Sequence, residues 1–279
     1  MRPFAVALAC CALCATPSLA ADPDYSTAPL DRLIDDLALI DSAVPGVTSQ
    51  ATYESFIAVD ERPVFTGGVL GIQQPDGSVR PIQAPDVPLQ MRELARRGIH
   101  TLPILIRHLN DTRPTKLSIG GSILDGGFFM FQLFGDEYDP RARPASAARG
   151  RGLTFKERSF DSRYAVKIGD ICYVLIGQIV NRNLLAARYQ PSAGLVVNSP
   201  IETPSLIDRI KKDWGDLDAQ AHEKSLLDDV RASDQIYFFS GALKRLRFYY
   251  PSAYTALQGD DAKKRALFEA QEASRRAPK

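Results

Sequence analysis

The stretch Tyr164–Pro200, YAVKIGDICYVLIGQIVNRNLLAARYQPSAGLVVNSP, holds the longest apolar run beyond the N-terminal leader. Directly after that run comes a dense set of polar and turn residues. Tyr164, Val166 and Ile168 alternate with Ala165 and Lys167, the period-2 signal of a short strand. Gly169-Asp170 breaks the alternation, and Asp170 is placed to cap a helix because a carboxylate accepts the free amides of the first turn. From Ile171 the apolar residues fall at Ile171, Val174, Leu175 and Ile179, with Gln178 the one polar member of the stripe. Cys172, Tyr173, Ile176 and Val180 make the other faces apolar as well, which predicts a core helix surrounded on most sides. Gly177 and Gln178 interrupt it, and it is too short to cross a bilayer.

Asn181-Arg182-Asn183 ends this helix, and RYQP and NSP bracket a further apolar run, Leu195 to Val197. Buried polar groups are costly without partners, so the side chains following a buried helix must be committed to something. Two readings stand. Arg188 and Asn198 tie loops to backbone carbonyls, or Arg182, Arg188, Tyr189, Gln190 and Asn198 line a ligand-binding groove.

The run GDICYVLIGQIVNR, with RYQP and NSP after it, resembles an uncharacterised family of secreted bacterial proteins. That family shares a VGDxCxxxxGQIVNR…RYQP…NSP pattern, preceded by a helical segment ending in HLxDxRPTK. Here the earlier motif reads His108-Leu109-Asn110-Asp111-Thr112-Arg113-Pro114-Thr115-Lys116. The likeness covers about two thirds of the mature chain, from Ser55 to Tyr254, and departs from the pattern at Lys167-Ile168 and in a long basic insert. It implies a fold and an exported location, and no reaction.

The first twenty residues, MRPFAVALACCALCATPSLA, have the three parts of a secretory signal: Arg2, an apolar stretch from Phe4 to Leu13, and Ser18-Leu19-Ala20 before the expected cleavage after Ala20. The expected location is periplasmic or secreted. Cys10, Cys11 and Cys14 raise a lipoprotein alternative, but the residues before them lack the usual order. Removing Arg2 from the 34 basic residues leaves them equal to the 33 acidic ones. A neutral chain points away from nucleic acid as an obligatory partner. No later run is apolar enough for a transmembrane anchor. Cys172 is then the single mature cysteine, so stability rests on packing, and in an apolar helix its thiol is an inert small hydrophobe.

Elsewhere the chain reads as helices. Pro29–Val44 carries the stripe Leu30, Leu33, Ile34, Leu37 and Ile40 behind a Thr27 cap, with Pro45-Gly46 as its stop. Thr52–Val59 reads as a short element. Pro75-Asp76-Gly77-Ser78 predicts a turn between two short strands. Pro88–Asn110 reads as two short helices: Gly98 closes the first, whose inward residues are Leu89, Met91 and Leu94, and Thr101 caps the second. This hairpin resembles a HEAT-type repeat, including its terminal Asp-x-Arg, and one such unit needs a stacked neighbour. Candidate neighbours are Thr203–Trp214, Ala219–Val230 and Ser233–Tyr249, the last stopped by Pro251. Phe128-Phe129-Met130-Phe131 suits close-packed strand, and Asp136–Gly152 is a loop by composition.

These signals give a mainly α fold with minor β (α+β): an irregular stack of helical hairpins, HEAT-like, around a buried central helix. The expected division is a signal peptide at 1–20, one globular domain at 21–259, and a polar helix with a frayed tail at 260–279. His100, His108 and His222 lack metalloprotease spacing and read as solvated or locally bonded. No cofactor, metal site or catalytic residue is expected, and Asp136, Glu137 and Asp139 read as solvated carboxylates in preference to a calcium site. The expected function is a non-catalytic binding or protein-interaction module of the cell envelope, its partner another envelope protein or a small ligand. The alternative is a hydrolase of an envelope polymer using Asp136, Glu137 or Asp170.

Overall fold

A computed structural model describes residues 24–42, 44, 46–47, 55–60, 71–73, 79–81, 86–119, 156–158, 163–189, 195–197, 199–232 and 236–276. The fold is mainly α with minor β. Its helices are α1 (Leu30–Asp36), α2 (Leu89–Arg97), α3 (Leu102–Arg107), α4 (Ile168–Val180), α5 (Ser205–Trp214), α6 (Ala219–Ala232), α7 (Ile236–Tyr249), α8 (Pro251–Thr255) and α9 (Gly259–Arg276). Among the described residues three small antiparallel sheets accompany them. β1 (Gly71–Gln73) pairs with β2 (Val79–Pro81), on either side of the expected Pro75–Ser78 turn. β3 (Pro114–Ile119) pairs with β5 (Tyr164–Lys167), and β4 (Lys156–Arg158), β7 (Leu195–Val197) and β6 (Ala187–Tyr189) pair in that spatial order.

The molecule is built round α4. Every residue of this helix is buried, and Ile171, Cys172, Tyr173, Leu175, Ile176 and Ile179 have no exposed surface. The α2–α3 pair lies along it, and α6 and α7 pack on each other and reach its C-terminal end. A second apolar cluster, with Leu226, Val230, Phe239, Leu243, Leu246 and Phe268, joins α6 and α7 to α8 and α9.

Several boundaries differ from the expected ones, each for a local reason. The helix starts at Ile168, so Asp170 is its third residue and not its cap. The Asp170 carboxylate reaches back to accept the Lys167 amide at 2.8 Å. Thr101 does not cap α3; its hydroxyl donates to the carbonyls of Leu94 at 3.1 Å and Gly98 at 2.8 Å. Thr27 and Pro29 provide no side-chain cap either, and α1 tightens after Asp36 into a 3-10 turn, Leu37–Leu39. Its stripe nonetheless points inward, with Leu33, Ile34, Leu37 and Ile40 buried, whereas Leu89 of α2 sits on the rim. Gly98 takes a positive φ of 56°, and a Cβ there would meet the Tyr249 ring at 2.5 Å. Pro251 ends α7 by opening α8, its missing amide harmless in a first turn. The C-terminal polar helix, α9, is docked through Phe268, which is 2% exposed. The 120–155 segment, with the aromatic run and the acidic-to-basic loop, lies outside the described residues.

Close approach makes the glycines of α4 part of the packing. A Cβ on Gly177 would lie 2.5 Å from the Arg182 carbonyl oxygen and 2.9 Å from Leu184 Cβ. Both belong to the chain returning from the helix. Gly177→Ala therefore gains about 1 kcal/mol of helix propensity and loses more to overpacking. The expected result is a net destabilisation of roughly 2 kcal/mol in urea unfolding; a stabilised variant would show that the return segment yields freely.

Candidate functional site

A helix leaves four amides and four carbonyls without partners at its ends, and the residues at both ends of α4 are buried away from bulk solvent. At the start, the Ile168 and Gly169 amides donate to the carbonyls of Arg113 and Asp111, each at 3.0 Å. These acceptors belong to the HLNDTRPTK motif, which is shaped by its own side chains. Arg113 grips Asp111 with Nε and a terminal nitrogen and reaches Asp35 of α1 at 2.7 Å, while His108 Nδ1 lies 2.9 Å from Asp111. Burial opposes ionisation of Asp111, but the Arg113 and His108 bonds outweigh it and hold the carboxyl down at about 2. Asp170 is pushed the other way by burial, opposed by Ser199, the Lys167 amide and Tyr164. It is wholly enclosed, with its carboxylate on the Tyr164 hydroxyl at 2.9 Å, so it has no route to a polymer substrate.

At the far end each of the last four carbonyls finds a donor. The Arg182 amide takes Gly177 O at 2.9 Å, Arg245 Nε takes Gln178 O at 2.6 Å, His222 Nε2 takes Ile179 O at 3.1 Å, and an Arg182 terminal nitrogen takes Val180 O at 3.2 Å. Asn181 makes the turn possible in the left-handed region, φ 57° and ψ 46°. Its side chain donates to Asp229 at 3.1 Å and accepts from Arg245 at 3.1 Å. Asp229 also pairs with Arg182 at 2.5 Å. Arg182 thus meets the buried carboxylate directly, and Arg245 is linked to it through the Asn181 side chain. Arg245 is completed by the Gly241 carbonyl and by the Phe56 ring 4.9 Å beneath it. Burial lowers its pKa to about 10, which leaves it charged at neutral pH.

His222 is 1% exposed, so of the two expected states, solvated or locally bonded, it is the bonded one. A carbonyl only accepts, so Nε2 carries the proton and Nδ1 receives the Tyr250 hydroxyl at 2.9 Å. Burial, with the Arg245 charge adding to it, lowers its pKa to about 4. The Cys172 thiol is pushed up by burial, in line with the inert thiol expected of it.

Of the five residues expected to line a groove, Arg182 is buried and turned inward onto carbonyls and Asp229, so it is a cap and not a rim residue. Arg188 and Tyr189 lie in β6, paired with Val196 and Leu195. The side chains of these two, and Gln190 and Asn198 altogether, lie outside the described residues, as do Asp136, Glu137 and Asp139.

An open concavity among the described residues lies elsewhere. Val59, Asp60, Lys244, Arg247, Phe248 and Glu272 line a cleft of about 380 Å³ between the 55–60 turn, α7 and α9. Asp60 closes its own turn by accepting the Phe56 amide at 2.7 Å and holds Lys244 Nζ at 3.0 and 3.2 Å. Arg247 pairs with Glu272 at 2.7 Å. The turn is fixed from behind, because the Ile57 amide donates to Gln178 of α4 at 3.2 Å. Among the described residues no group of three or more His, Cys, Asp or Glu side chains is placed to hold a metal, and no helix is long and apolar enough to cross a membrane.

No protein-family model, curated protein or solved structure matches this chain.

Two outcomes test the capping account. Arg182→Met strips two carbonyls of a donor and Asp229 of its paired cation and is expected to cost roughly 3–5 kcal/mol in urea unfolding, as when one partner of a buried pair is removed; a rim residue would cost under about 1 kcal/mol. The histidine gives a pH signature. Its folded pKa, about 4, lies below the unfolded value of 6.5, so the unfolded chain binds the proton first as pH falls. Its contribution is full above 6.5 and is lost as pH drops to about 4, on the order of 3 kcal/mol across that window. His222→Gln should flatten the pH dependence of the unfolding midpoint between those values, and an unchanged slope would remove His222 as its source.

Proposed function

We propose that this is an exported, non-catalytic binding or protein-interaction module of the cell envelope, and that it meets its partner through the cleft between the 55–60 turn, α7 and α9. The observation that carries this reading is the division of labour among the charged groups. Arg182, Arg245, Asp229, His222 and Asp170 are enclosed and spent on the ends of α4. Those in contact with solvent at a concave surface, Arg247 above all, stand beside apolar Phe248 and Val59, the latter 44% exposed. A few polar groups set into an apolar wall is the usual make-up of a recognition site. Export is supported by the leader-like N-terminus. Arg188, Tyr189, Gln190 and Asn198 extend the proposal to a second surface, on the strength of their sequence pattern.

The test is capture from envelope extract with wild type, Val59→Arg and Arg188→Ala. Val59 is exposed, so its variant should keep the wild-type melting temperature while losing the captured partner. If all three proteins recover the same set, the cleft and the β6 surface are both discarded; if only Arg188→Ala fails, recognition belongs to the β6 surface.

A further inference from the structure

The cleft is electrically balanced only because α9 contributes to it. Its fixed walls carry Lys244 and Arg247 from α7 and Asp60 from the 55–60 turn, a net positive charge, and Glu272 supplies the second carboxylate. The two carboxylates are held very differently. Asp60 is part of a turn bonded to α4 and is itself bonded to a backbone amide. Glu272 rides on a helix in which Phe268 is the one fully buried residue among those described, with the Arg247 guanidinium 5.0 Å from its ring. The rest of the grip of α9 includes Lys264 on the Val230 carbonyl at 2.9 Å, Arg265 on the Tyr254 and Thr255 carbonyls at 3.0 Å each and the Tyr254 hydroxyl on Glu269 at 2.7 Å, all earlier in the helix than Glu272. Beside these stand pairs such as Arg231–Asp261 at 3.0 Å, whose Arg231 side chain is 56% exposed. Exposed pairs of this kind contribute little and weaken in salt. Glu272 is therefore the replaceable member of the set.

We propose that Glu272 is an internal stand-in for a ligand carboxylate, and that the cleft takes the free C-terminus of a peptide chain ending in an apolar residue. This rests on the reading of the cleft as the recognition site. The ligand carboxylate takes the place of Glu272 on Arg247, whose fork of donors matches a carboxylate, with Lys244 alongside. Lys244 already lies 4.0 Å from Glu272. The terminal side chain lies against Phe248 and Val59. Asp60 decides between kinds of carboxylic acid. It is an acceptor beside the anion site, suited to the amide N–H of a peptide, whereas a fatty acid brings no donor for it. A terminal carboxylate captured together with its amide is a known mode of peptide recognition.

Titration calorimetry on the full chain tests this with acetyl-Ala-Ala-Leu as free acid, the same peptide as its C-terminal amide, and decanoate. Glu272→Gln keeps the shape of the side chain and removes its charge. The free acid is expected to bind this variant about tenfold more tightly than wild type and more weakly at high salt. The amide should bind at least about tenfold less well than the acid, and the added change Arg247→Gln should abolish the gain. Hydrogen exchange in 168–180 checks that the core is intact, since the change is expected to loosen 259–276 alone. Equal binding of acid and amide, or no gain in Glu272→Gln, overturns carboxylate exchange. Decanoate binding the variant better than the peptide overturns the choice of a peptide terminus. Either result combined with a lost partner in Val59→Arg leaves the cleft as recognition site and removes only this ligand; full capture by Val59→Arg removes the site itself.

Discussion

The four carbonyls that close α4 are the constraint on which the rest of the molecule is arranged. A helix this apolar gains its stability by being covered on all sides, and covering it removes the water that ordinarily satisfies a helix end. Each abandoned carbonyl costs about 1–3 kcal/mol, so the far end of α4 cannot be left open. The protein supplies Arg182 from the segment that follows the helix and brings in Arg245 from α7 and His222 from α6. Having buried two cations, it must bury an anion, and Asp229 fills that place. Asn181 then fits between them because one amide side chain both donates and accepts. The network is thus the consequence of one apolar helix.

Much of this was legible in the sequence, and the illegible part has a definite cause. The apolar run fixes α4 by itself, and the stripe of α1 lies inward as its spacing implies. The polar residues after α4 were bound to have partners, and for Arg182 those partners are carbonyls. Which distant side chains answer the demand was not readable. Arg245 sits in Leu243-Lys244-Arg245-Leu246-Arg247, where three cations look alike, yet Arg245 is enclosed, Lys244 nearly so, and Arg247 open at one side. Asp228 and Asp229 are likewise adjacent. One forms an exposed pair with Lys224, and the other faces the core. Neighbours on a helix are turned about 100° apart, so composition alone does not separate them. The signal that existed was a demand for donors at a buried helix end, without an address.

Asp170 shows the same limit at the opposite end. Its residue type suits a cap, and it does accept an amide from the first turn's approach, but from the third position and not the first. The strand before it, β5, runs straight into α4, and the carbonyls of Asp111 and Arg113 already meet the leading amides. With those positions filled, a carboxylate two residues further on is the group that can still reach the Lys167 amide.

The cleft inherits its rigidity from the same network. Consecutive residues of α7 face opposite duties: Arg245 turns to the Gln178 carbonyl, while Lys244 turns to Asp60. Between them the 55–60 turn is held by contacts that include the Ile57 amide, the Phe56 ring and the Asp60 carboxylate. One wall of the cleft is therefore mounted on the most buried part of the protein, and the other, α9, on Phe268, side-chain bonds from Lys264 and Arg265 to backbone carbonyls, and a set of ion pairs. A recognition surface needs fixed groups to define geometry and a yielding one to admit the ligand. The unequal anchoring of Asp60 and Glu272 supplies both around one lysine, Lys244, because only one of the two carboxylates belongs to a segment that α4 requires.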